Sequence, residues 1–318
     1  MSDSITQLSG WQLKTLILSI IVSATGYLIF SLWSGWEDVR DAFSQIGLLG
    51  TLIALSLSLT NYGLRFIRWQ LYLAKLGYRI DVLSSLRIYL SGFSLTTTPG
   101  KAGETFRGIL LKQHNIPFST TLVAFFSERL SDLVAIVLLT LIGLSQYPQA
   151  QGMVFAGGSA IVLLLASMSN NRALNCIHSW AYERKGKVFR LFTQIIDLLK
   201  ETKQCHTLGM LIFSTIISVI AWGAEAFAFY LLLQWLGADI GFSFAIFVYA
   251  LSMLAGALSF LPGGIGSAEV VMISLLVTKG MTLPAAIAAT VFIRLVTLWF
   301  AVLIGLVALY HSSKKEAI

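Results

Sequence analysis

The sequence predicts an all-α polytopic membrane protein, with about six full transmembrane helices and two re-entrant broken hairpins in an inverted repeat. Of its 318 residues, 56% are hydrophobic and only 12% are charged, about half the charged share of a typical soluble domain. Apolar runs of about 20 residues, the length that crosses a ~30 Å hydrocarbon core, recur along the chain. These features exclude a soluble globular fold.

Six apolar runs are long enough to be full crossings. They lie at residues 15–33, 47–70, 119–144, 152–168, 208–236 and 284–310. The first run is long for the core of a signal peptide, and no clear cleavage site follows it. We therefore interpret it as an extra N-terminal transmembrane helix of a single membrane domain that covers the whole chain.

Two further apolar stretches, 84–116 and 242–279, are each interrupted by a loop that contains proline and glycine. Each arm has roughly 12–19 residues, mostly too few for a full span. Non-helical backbone is tolerated at membrane depth only where protein or a hydrated cavity surrounds it. We therefore expect two re-entrant helical hairpins. Their loop residues are Pro99, Gly100, Gly103, Pro262, Gly263, Gly264 and Gly266.

Lysine and arginine in the loops determine the expected orientation. Basic residues outnumber acidic ones in 65–87, in 170–206 and after 310, whereas 145–151 and 237–241 contain neither Lys nor Arg. By the positive-inside rule, the first three segments face the cytoplasm and the last two face outside. Six crossings plus two hairpins satisfy these assignments and place both termini on the cytoplasmic side of the plasma membrane. An alternative with eight crossings turns the basic loop 170–206 outside.

The two halves of the chain share short motifs in the same order, at offsets that increase from 160 to 165 residues. The matches are Leu76-Gly77 with Leu236-Gly237, Pro99-Gly100 with Pro262-Gly263, and Arg129-Leu130 with Arg294-Leu295. The predicted repeats cover 47–144 and 208–310. The linking helix at 152–168 reverses the second copy relative to the membrane. Inverted repeats with broken helices are a recurrent transporter architecture.

Several ionisable residues fall inside the predicted crossings. Glu128, Arg129 and Asp132 lie in one crossing, and Glu225 and Arg294 lie in two others. A charge at the bilayer centre costs at least about 2.5–3.5 kcal/mol, so these groups must face one another or a hydrated cavity. Two interpretations remain open: the charges pair and pin the helices together, or they line a path for a polar substrate.

The candidate substrate-binding residues are charged side chains near the predicted midplane and the hairpin loops. They are Arg65, Arg68, Lys101, Glu104, Arg107, Glu128, Arg129, Asp132, Glu225, Glu269 and Arg294. Guanidinium groups suit phosphate geometry, and the helix N-termini after the breaks offer N–H donors to an anion. Structural alternatives remain for four of them. Glu104 and Glu269 could serve only the positive helix ends, and Arg65 and Arg68 could extend to the cytoplasmic interface.

Other site chemistries find no support in the sequence. Cys176 and Cys205 share one polar loop and the four histidines are scattered, so we expect no catalytic triad, metal site, disulfide framework or cofactor. The loop 100–105 lacks the spacing of a nucleotide-binding phosphate loop. The net charge of +7 lies mostly in loops and the tail, which indicates cytoplasmic anchoring rather than nucleic-acid binding.

Four motifs occur together in these segments. They are the run Arg65 to Trp69, the loop Thr98 to Glu104, the segment Glu128 to Leu133 and the loop Leu261 to Gly266. Together they resemble the lysylphosphatidylglycerol synthase transmembrane-region, or flippase-like, family, over most of the chain. The resemblance implies a membrane region that moves lipids between leaflets. Full synthases of that family add a soluble aminoacyl-transferase domain, which we do not expect after the last predicted helix.

The resemblance and the predicted symmetry favour a lipid translocase that moves a phospholipid or a lipid-linked anionic intermediate between leaflets. The expected partners are membrane lipids, with a homo-oligomer left open. The alternative is a membrane enzyme or accessory subunit in lipid or glycan assembly, with Glu128, Asp132 and Glu269 as acid–base groups. The sequence shows no nucleophile, histidine or metal constellation, and this favours transport.

Two expectations concern how the charges meet. First, Glu128 or Asp132 should lie near Arg129 or Arg294 across the interface between the repeats, because unpaired buried charges are prohibitively unfavourable. Second, Arg129 and Arg294 should together engage a lipid phosphate between the two hairpin tips, since inversion brings equivalent positions together near the midplane.

Overall fold

The computed structural model describes residues 36–98, 102–144, 149, 151–169, 171–182, 184, 186–259 and 261–315. In these residues the regular secondary structure is entirely helical. The predicted crossing at 15–33 and the loop residues Pro99, Gly100 and Lys101 lie outside them. Gly103 and Glu104 fall in the first turn of a described helix.

The described helices are numbered in chain order. They are α1 Trp36–Lys75, α2 Val82–Ser91, α3 Ala102–Lys112, α4 Phe118–Leu141, α5 Gln151–Ser169, α6 Asn171–Tyr182, α7 Lys187–Thr202, α8 Leu208–Trp235, α9 Phe242–Leu258, α10 Ser267–Thr278, α11 Leu283–Arg294 and α12 Phe300–Lys315. Short 3₁₀ turns occupy Gly92–Leu95, Lys203–His206 and Pro262–Gly264, and a π-turn at Leu295–Trp299 joins α11 to α12.

Three helical segments are long and apolar enough to cross a membrane: Arg40–Lys75, Leu208–Trp235 and Leu283–His311. They coincide with predicted crossings. The predicted crossing at 119–144 is the 24-residue helix α4, whose apolar sequence contains three charges. An all-helical chain with such apolar segments is a helical membrane protein.

Helix α1 bends at Gly47, where the backbone (φ 66°, ψ 179°) leaves helical geometry. The sequence predicted a loop before residue 47, but the structure makes 36–46 helical and joins it to the crossing through this bend. Glycine adopts a positive φ without steric cost. Gly47 therefore lets two helices meet end to end without an intervening loop.

Both predicted breaks are present. The first stretch divides into α2 and α3, with 10 and 11 residues, and the second into α9 and α10, with 17 and 12 residues. In the second break, Gly263, Gly264 and Gly266 all have positive φ. A Cβ on Gly264 would lie 2.9 Å from the Cα of Gly256, so the loop packs closely on α9 only because both residues lack side chains.

The order of helix starts recurs in the two halves. Helices α2 and α9 begin at residues 82 and 242, which are 160 apart. After the breaks, α3 and α10 begin at 102 and 267, and α4 and α11 begin at 118 and 283, both 165 apart. The breaks therefore differ in length by five residues, while the helices on either side keep their spacing.

The helices before the breaks also end in the same way. At the end of α1 the Tyr78 N–H donates to the Leu73 carbonyl at 2.9 Å, and at the end of α8 the Ala238 N–H donates to the Leu233 carbonyl at 3.0 Å. Gly77 and Gly237 hold the left-handed positions, with φ of 89° and 69°. Both ends are Schellman caps, in which glycine allows the chain to reverse and satisfy the last carbonyls.

Helix α2 begins with a side-chain cap. The Ser84 N–H donates to Asp81 Oδ2 at 3.0 Å. This hydrogen bond lowers the pKa of Asp81, because the ionised carboxylate is the better acceptor. The cap fixes the start of the first broken stretch next to the end of α1.

Helices α1 and α8 pack along each other, and α4 packs against both. Buried aromatic residues fill the interior on either side, with Trp69, Tyr72 and Tyr89 in the first half and Phe229 and Phe247 in the second. The buried charges lie mostly on α1, α4 and α8, where these three helices meet.

Candidate functional site

Asp132, on α4, lies at the centre of a group of buried charges. Its Oδ1 accepts hydrogen bonds from Arg68 Nη1 at 2.8 Å and from Trp222 Nε1 at 3.0 Å. Its Oδ2 lies 3.3 Å from Arg65 Nη2 and 3.2 Å from Arg129 Nη2. Three guanidinium groups therefore share one carboxylate.

Helical spacing explains why these side chains converge. Residues three apart lie on the same helix face, which places Arg65 and Arg68 together on α1, and Arg129 and Asp132 together on α4. The close packing of α1, α4 and α8 brings Trp222 to the same point. Arg68 is fully buried and also bonds to the Ser218 hydroxyl on α8.

A second ion pair lies one helical turn away on α4. Arg107 Nη1 donates to Glu128 Oε2 at 3.0 Å, and both side chains are buried. The guanidinium of Arg107 lies 4.3 Å from the ring centre of Tyr89 and 5.3 Å from that of Trp69. A Cβ on Gly92 would collide with Arg107 Nε. Glycine at this position therefore makes room for the buried guanidinium.

Since Glu128 and Asp132 occupy successive turns of one helix, the two groups form a single unit. We call it the arginine cluster, and its members are Arg65, Arg68, Arg107, Arg129, Glu128 and Asp132. Within it, the side chain of Arg129 is 33% exposed and that of Arg65 is 11% exposed, whereas the others are almost completely buried. Access to the cluster is therefore by way of Arg129.

Several polar atoms of the arginine cluster have no hydrogen-bond partner within the part of the chain that the structure describes. They are Nε of Arg65, Arg68, Arg107 and Arg129, Nη2 of Arg68, and Oε1 of Glu128. Buried polar groups in proteins are nearly always hydrogen-bonded. Five unpartnered nitrogen atoms on four guanidinium groups give this site the capacity to bind an anion with several acceptor oxygens.

A separate ion pair holds the second break. Arg294 Nε donates to Glu269 Oε1 at 2.6 Å, and Arg294 Nη2 donates to the Gly263 carbonyl at 2.8 Å. Glu269 Oε2 accepts the Gly266 N–H at 2.7 Å. Both side chains are buried, so Arg294 ties α11 to the loop and to the start of α10.

Residues 16–305 match the family described as the lysylphosphatidylglycerol synthase TM region. The chain belongs to this family. The matched region contains the whole arginine cluster and the Arg294–Glu269 pair.

Relatives of similar length support the assignment to a membrane family. A UPF0104 membrane protein of Pyrococcus horikoshii is 22% identical, and the alignment covers 93% of this chain and 97% of the relative. A UPF0104 membrane protein of Methanothermobacter thermautotrophicus is 25% identical over 87% of this chain and 88% of the relative. Another, from Methanocaldococcus jannaschii, is 27% identical over 69% of this chain and 93% of the relative.

The charge pairing of this family member differs in part from the sequence prediction. Asp132 lies near Arg129, as expected, but the two share one helix rather than meeting across the repeats. Arg294 pairs with Glu269 inside the second repeat, so the expected pairing across the interface is wrong for the described charges. The hairpin loop itself supplies a nearer carboxylate for Arg294.

The structural alternative for Arg65 and Arg68 is also wrong. Their side chains do not extend to an interface, because Arg68 is fully buried and both bind Asp132. The structural alternative for Glu269 is present, since its carboxylate receives the Gly266 N–H at the start of α10. Joint binding of a phosphate by Arg129 and Arg294 stays a prediction.

Glu225 lies on α8 one turn after Trp222, and it is only 4% exposed. The Tyr249 hydroxyl donates to its Oε2 at 2.6 Å. In the described residues, Glu225 forms no ion pair within 4.0 Å, and no three side chains converge into a group that could hold a metal ion.

Sequence reasoning missed the neutral residues of the site. Trp222 bonds Asp132, Tyr249 bonds Glu225, and Tyr89 stacks on Arg107. One signal could have revealed part of this set. Ser214, Ser218, Trp222 and Glu225 form a polar stripe at helical spacing in the otherwise apolar helix α8.

Proposed function

We propose that this protein translocates a phospholipid or a lipid-linked anionic intermediate between the leaflets of the membrane. The arginine cluster is the proposed site for the phosphate. One observation carries the proposal: four guanidinium groups face two carboxylates, and five of their nitrogen atoms have no acceptor in the described part of the chain.

Charge and geometry both favour a phosphate at this site. Uncompensated charge in a membrane is unfavourable, and a phosphodiester supplies the negative charge that the cluster lacks. Guanidinium groups remain charged at all relevant pH values and can bind two phosphate oxygens at once. The partial exposure of Arg129 and Arg65 provides the approach, while Arg68 and Arg107 hold the carboxylates in place.

The recurrence of helix starts and Schellman caps supports an inverted repeat with copies at 47–144 and 208–310. In the proposed arrangement, the broken helices enter as re-entrant hairpins from opposite sides, as in transporters with alternating access. The basic loop 170–206 and both termini face the cytoplasm, by the positive-inside rule, and the protein lies in the plasma membrane.

The contacts of the carboxylates favour transport over catalysis. Glu128, Asp132 and Glu269 each accept a hydrogen bond from a guanidinium group, at 3.0, 2.8 and 2.6 Å. A general acid or base needs a proton that it can exchange with the reacting group. Carboxylates neutralised by arginine are poorly suited to that role, and their arrangement is that of a fixed electrostatic frame.

Leaflet exchange in liposomes tests the proposal. Purified protein is reconstituted with fluorescent phosphatidylglycerol, fluorescent lysyl-phosphatidylglycerol, or a fluorescent glycolipid that lacks phosphate. We expect faster exchange of the phosphate-bearing probes than in protein-free liposomes, and little acceleration of the glycolipid. Equal exchange in liposomes with and without protein would contradict the function, and equal acceleration of all three probes would contradict the phosphate site.

The orientation predicts a labelling pattern. In a background with Cys176 and Cys205 replaced by serine, a cysteine at Gln146 should react with an impermeant maleimide added to intact cells. A cysteine at Lys187 should react only after the cells are opened, because the basic loop is cytoplasmic. Labelling of position 187 from outside, with position 146 protected, would reverse the proposed orientation.

A further inference from the structure

Glu225 differs from the other buried carboxylates in its surroundings. Asp132, Glu128 and Glu269 each have a guanidinium nitrogen within hydrogen-bond distance, whereas the printed partner of Glu225 is the neutral hydroxyl of Tyr249. An ionised carboxylate with no adjacent cation is unfavourable in a low-dielectric interior. Glu225 is therefore the described buried carboxylate best placed to exchange a proton.

The neighbours of Glu225 come from every helix that packs around it. Asp132 on α4, Tyr249 on α9, and Arg65 and Arg294 on α1 and α11 all act on its charge. Tyr62 on α1 also faces it. Glu225 thus lies where it responds to both the arginine cluster and the Arg294–Glu269 pair.

Arg65 provides a link between Glu225 and the arginine cluster. Its contact with Asp132, at 3.3 Å, is the longest of the contacts to that carboxylate, and its Nε has no partner in the described residues. The guanidinium lies 5.4 Å from the ring centre of Trp222, one turn before Glu225. Asp132 keeps Arg68 and Arg129 if Arg65 moves away. Arg65 can therefore move towards Glu225 without leaving Asp132 unpaired.

We propose that Glu225 carries one proton per transport cycle, so that a phosphate-bearing lipid and H⁺ cross the membrane together. When the phosphate binds Arg65 and Arg129, Arg65 stays at the cluster, and Glu225 takes a proton from water on the open side. When the phosphate leaves, Arg65 moves to Glu225 and the proton passes to water on the other side. One phosphodiester charge and one proton move together, so no net charge crosses.

The inference rests on the proposed lipid translocation, and the coupling must be reciprocal: phosphate binding promotes proton uptake, and proton uptake promotes phosphate binding. A 1:1 stoichiometry makes a quantitative prediction. A gradient of one pH unit across the liposome membrane should bias the leaflet distribution of the lipid up to about tenfold. A membrane potential set by potassium and valinomycin should leave the distribution unchanged.

The test compares the wild-type protein with Glu225→Gln and with a matched control, Glu37→Gln, in which the same chemical change is made at an exposed site. Glutamine keeps the shape of Glu225 and can accept the Tyr249 hydrogen bond, but it cannot exchange a proton. With fluorescent phosphatidylglycerol as the probe, the wild type and Glu37→Gln should respond to the pH gradient. Glu225→Gln should exchange lipid at a rate and distribution that ignore the gradient.

A lipid-independent readout identifies the proton site directly. Infrared difference spectra between alkaline and acidic pH should show the carbonyl band of a protonated buried carboxyl group in the wild type and in Glu37→Gln. The band should be missing in Glu225→Gln and shifted in Tyr249→Phe, which removes the hydrogen bond but keeps the carboxyl group.

Each outcome separates the inference from the function beneath it. Wild-type exchange without gradient bias, or a full infrared band in Glu225→Gln, overturns the role of Glu225 and leaves the translocase standing. A gradient response retained in Glu225→Gln assigns the proton to another group and overturns the inference as well. Absence of any exchange in the wild type overturns both.

Discussion

Replacement of Arg129 with alanine is expected to slow lipid transfer about tenfold or more while the protein remains folded. Arg129 is the most exposed member of the arginine cluster, and its Nε has no acceptor among the described residues. A charge-assisted hydrogen bond contributes about 1.5–3 kcal/mol, and each 1.4 kcal/mol corresponds to a factor of ten. Asp132 retains Arg65, Arg68 and Trp222, so stability should change by less than about 1 kcal/mol.

The measurement is leaflet exchange normalised to monodisperse protein. Arg40→Ala is the control, because Arg40 is an exposed arginine of α1 outside the site. Arg129→Lys should recover only part of the activity, since lysine keeps the charge but loses the two-pronged geometry. Normal transfer per folded molecule in Arg129→Ala would remove Arg129 from the proposed phosphate site.

Replacement of Arg294 with alanine is expected to act first on stability. It leaves Glu269 buried without its cation and releases the Gly263 carbonyl. Breaking one side of a buried pair typically costs about 3–5 kcal/mol, whereas replacing both partners with apolar groups is often neutral. The single variant should therefore unfold at a markedly lower temperature in detergent, and the double variant Glu269→Met with Arg294→Met should recover most of the loss.

The double variant also tests whether Arg294 helps to bind the lipid phosphate. With the fold restored and the guanidinium absent, transfer per folded molecule should remain low. Normal specific transfer by the double variant would confine Arg294 to a structural role. Equal unfolding temperatures for the wild type and Arg294→Ala would contradict the ion pair as a lock on the second break.

Much of the helical layout could be predicted from the sequence, because it depends on local properties. The apolar run 208–236 is α8, and Pro262 and its neighbouring glycines mark a real break. Gly77 and Gly237, matched by sequence alone, both cap helices with positive φ. The helical segment before Gly47 was missed, because a bend at glycine and a loop look alike in a sequence.

The charged members of the site could also be predicted, since a charge inside an apolar run is conspicuous. Their partners could not. Trp222 and Tyr249 have large apolar parts and do not stand out in a membrane helix, yet they donate hydrogen bonds to Asp132 and Glu225. The expected partner for Arg294 was wrong, because Glu269 was assigned to a helix end without considering that the same carboxylate can also accept an arginine.

The sequence by itself determined that this protein is a helical membrane protein, where its helices begin and break, and which charges lie within them. Hydrophobicity, proline and glycine act over a few residues, so neighbouring residues suffice to specify these features. Only the tertiary structure decided that Arg65 and Arg68 converge on Asp132, and that Glu225 lacks an adjacent cation. Such contacts depend on how α1, α4 and α8 pack, and an ion pair between residues more than 60 positions apart exists only once that packing is made.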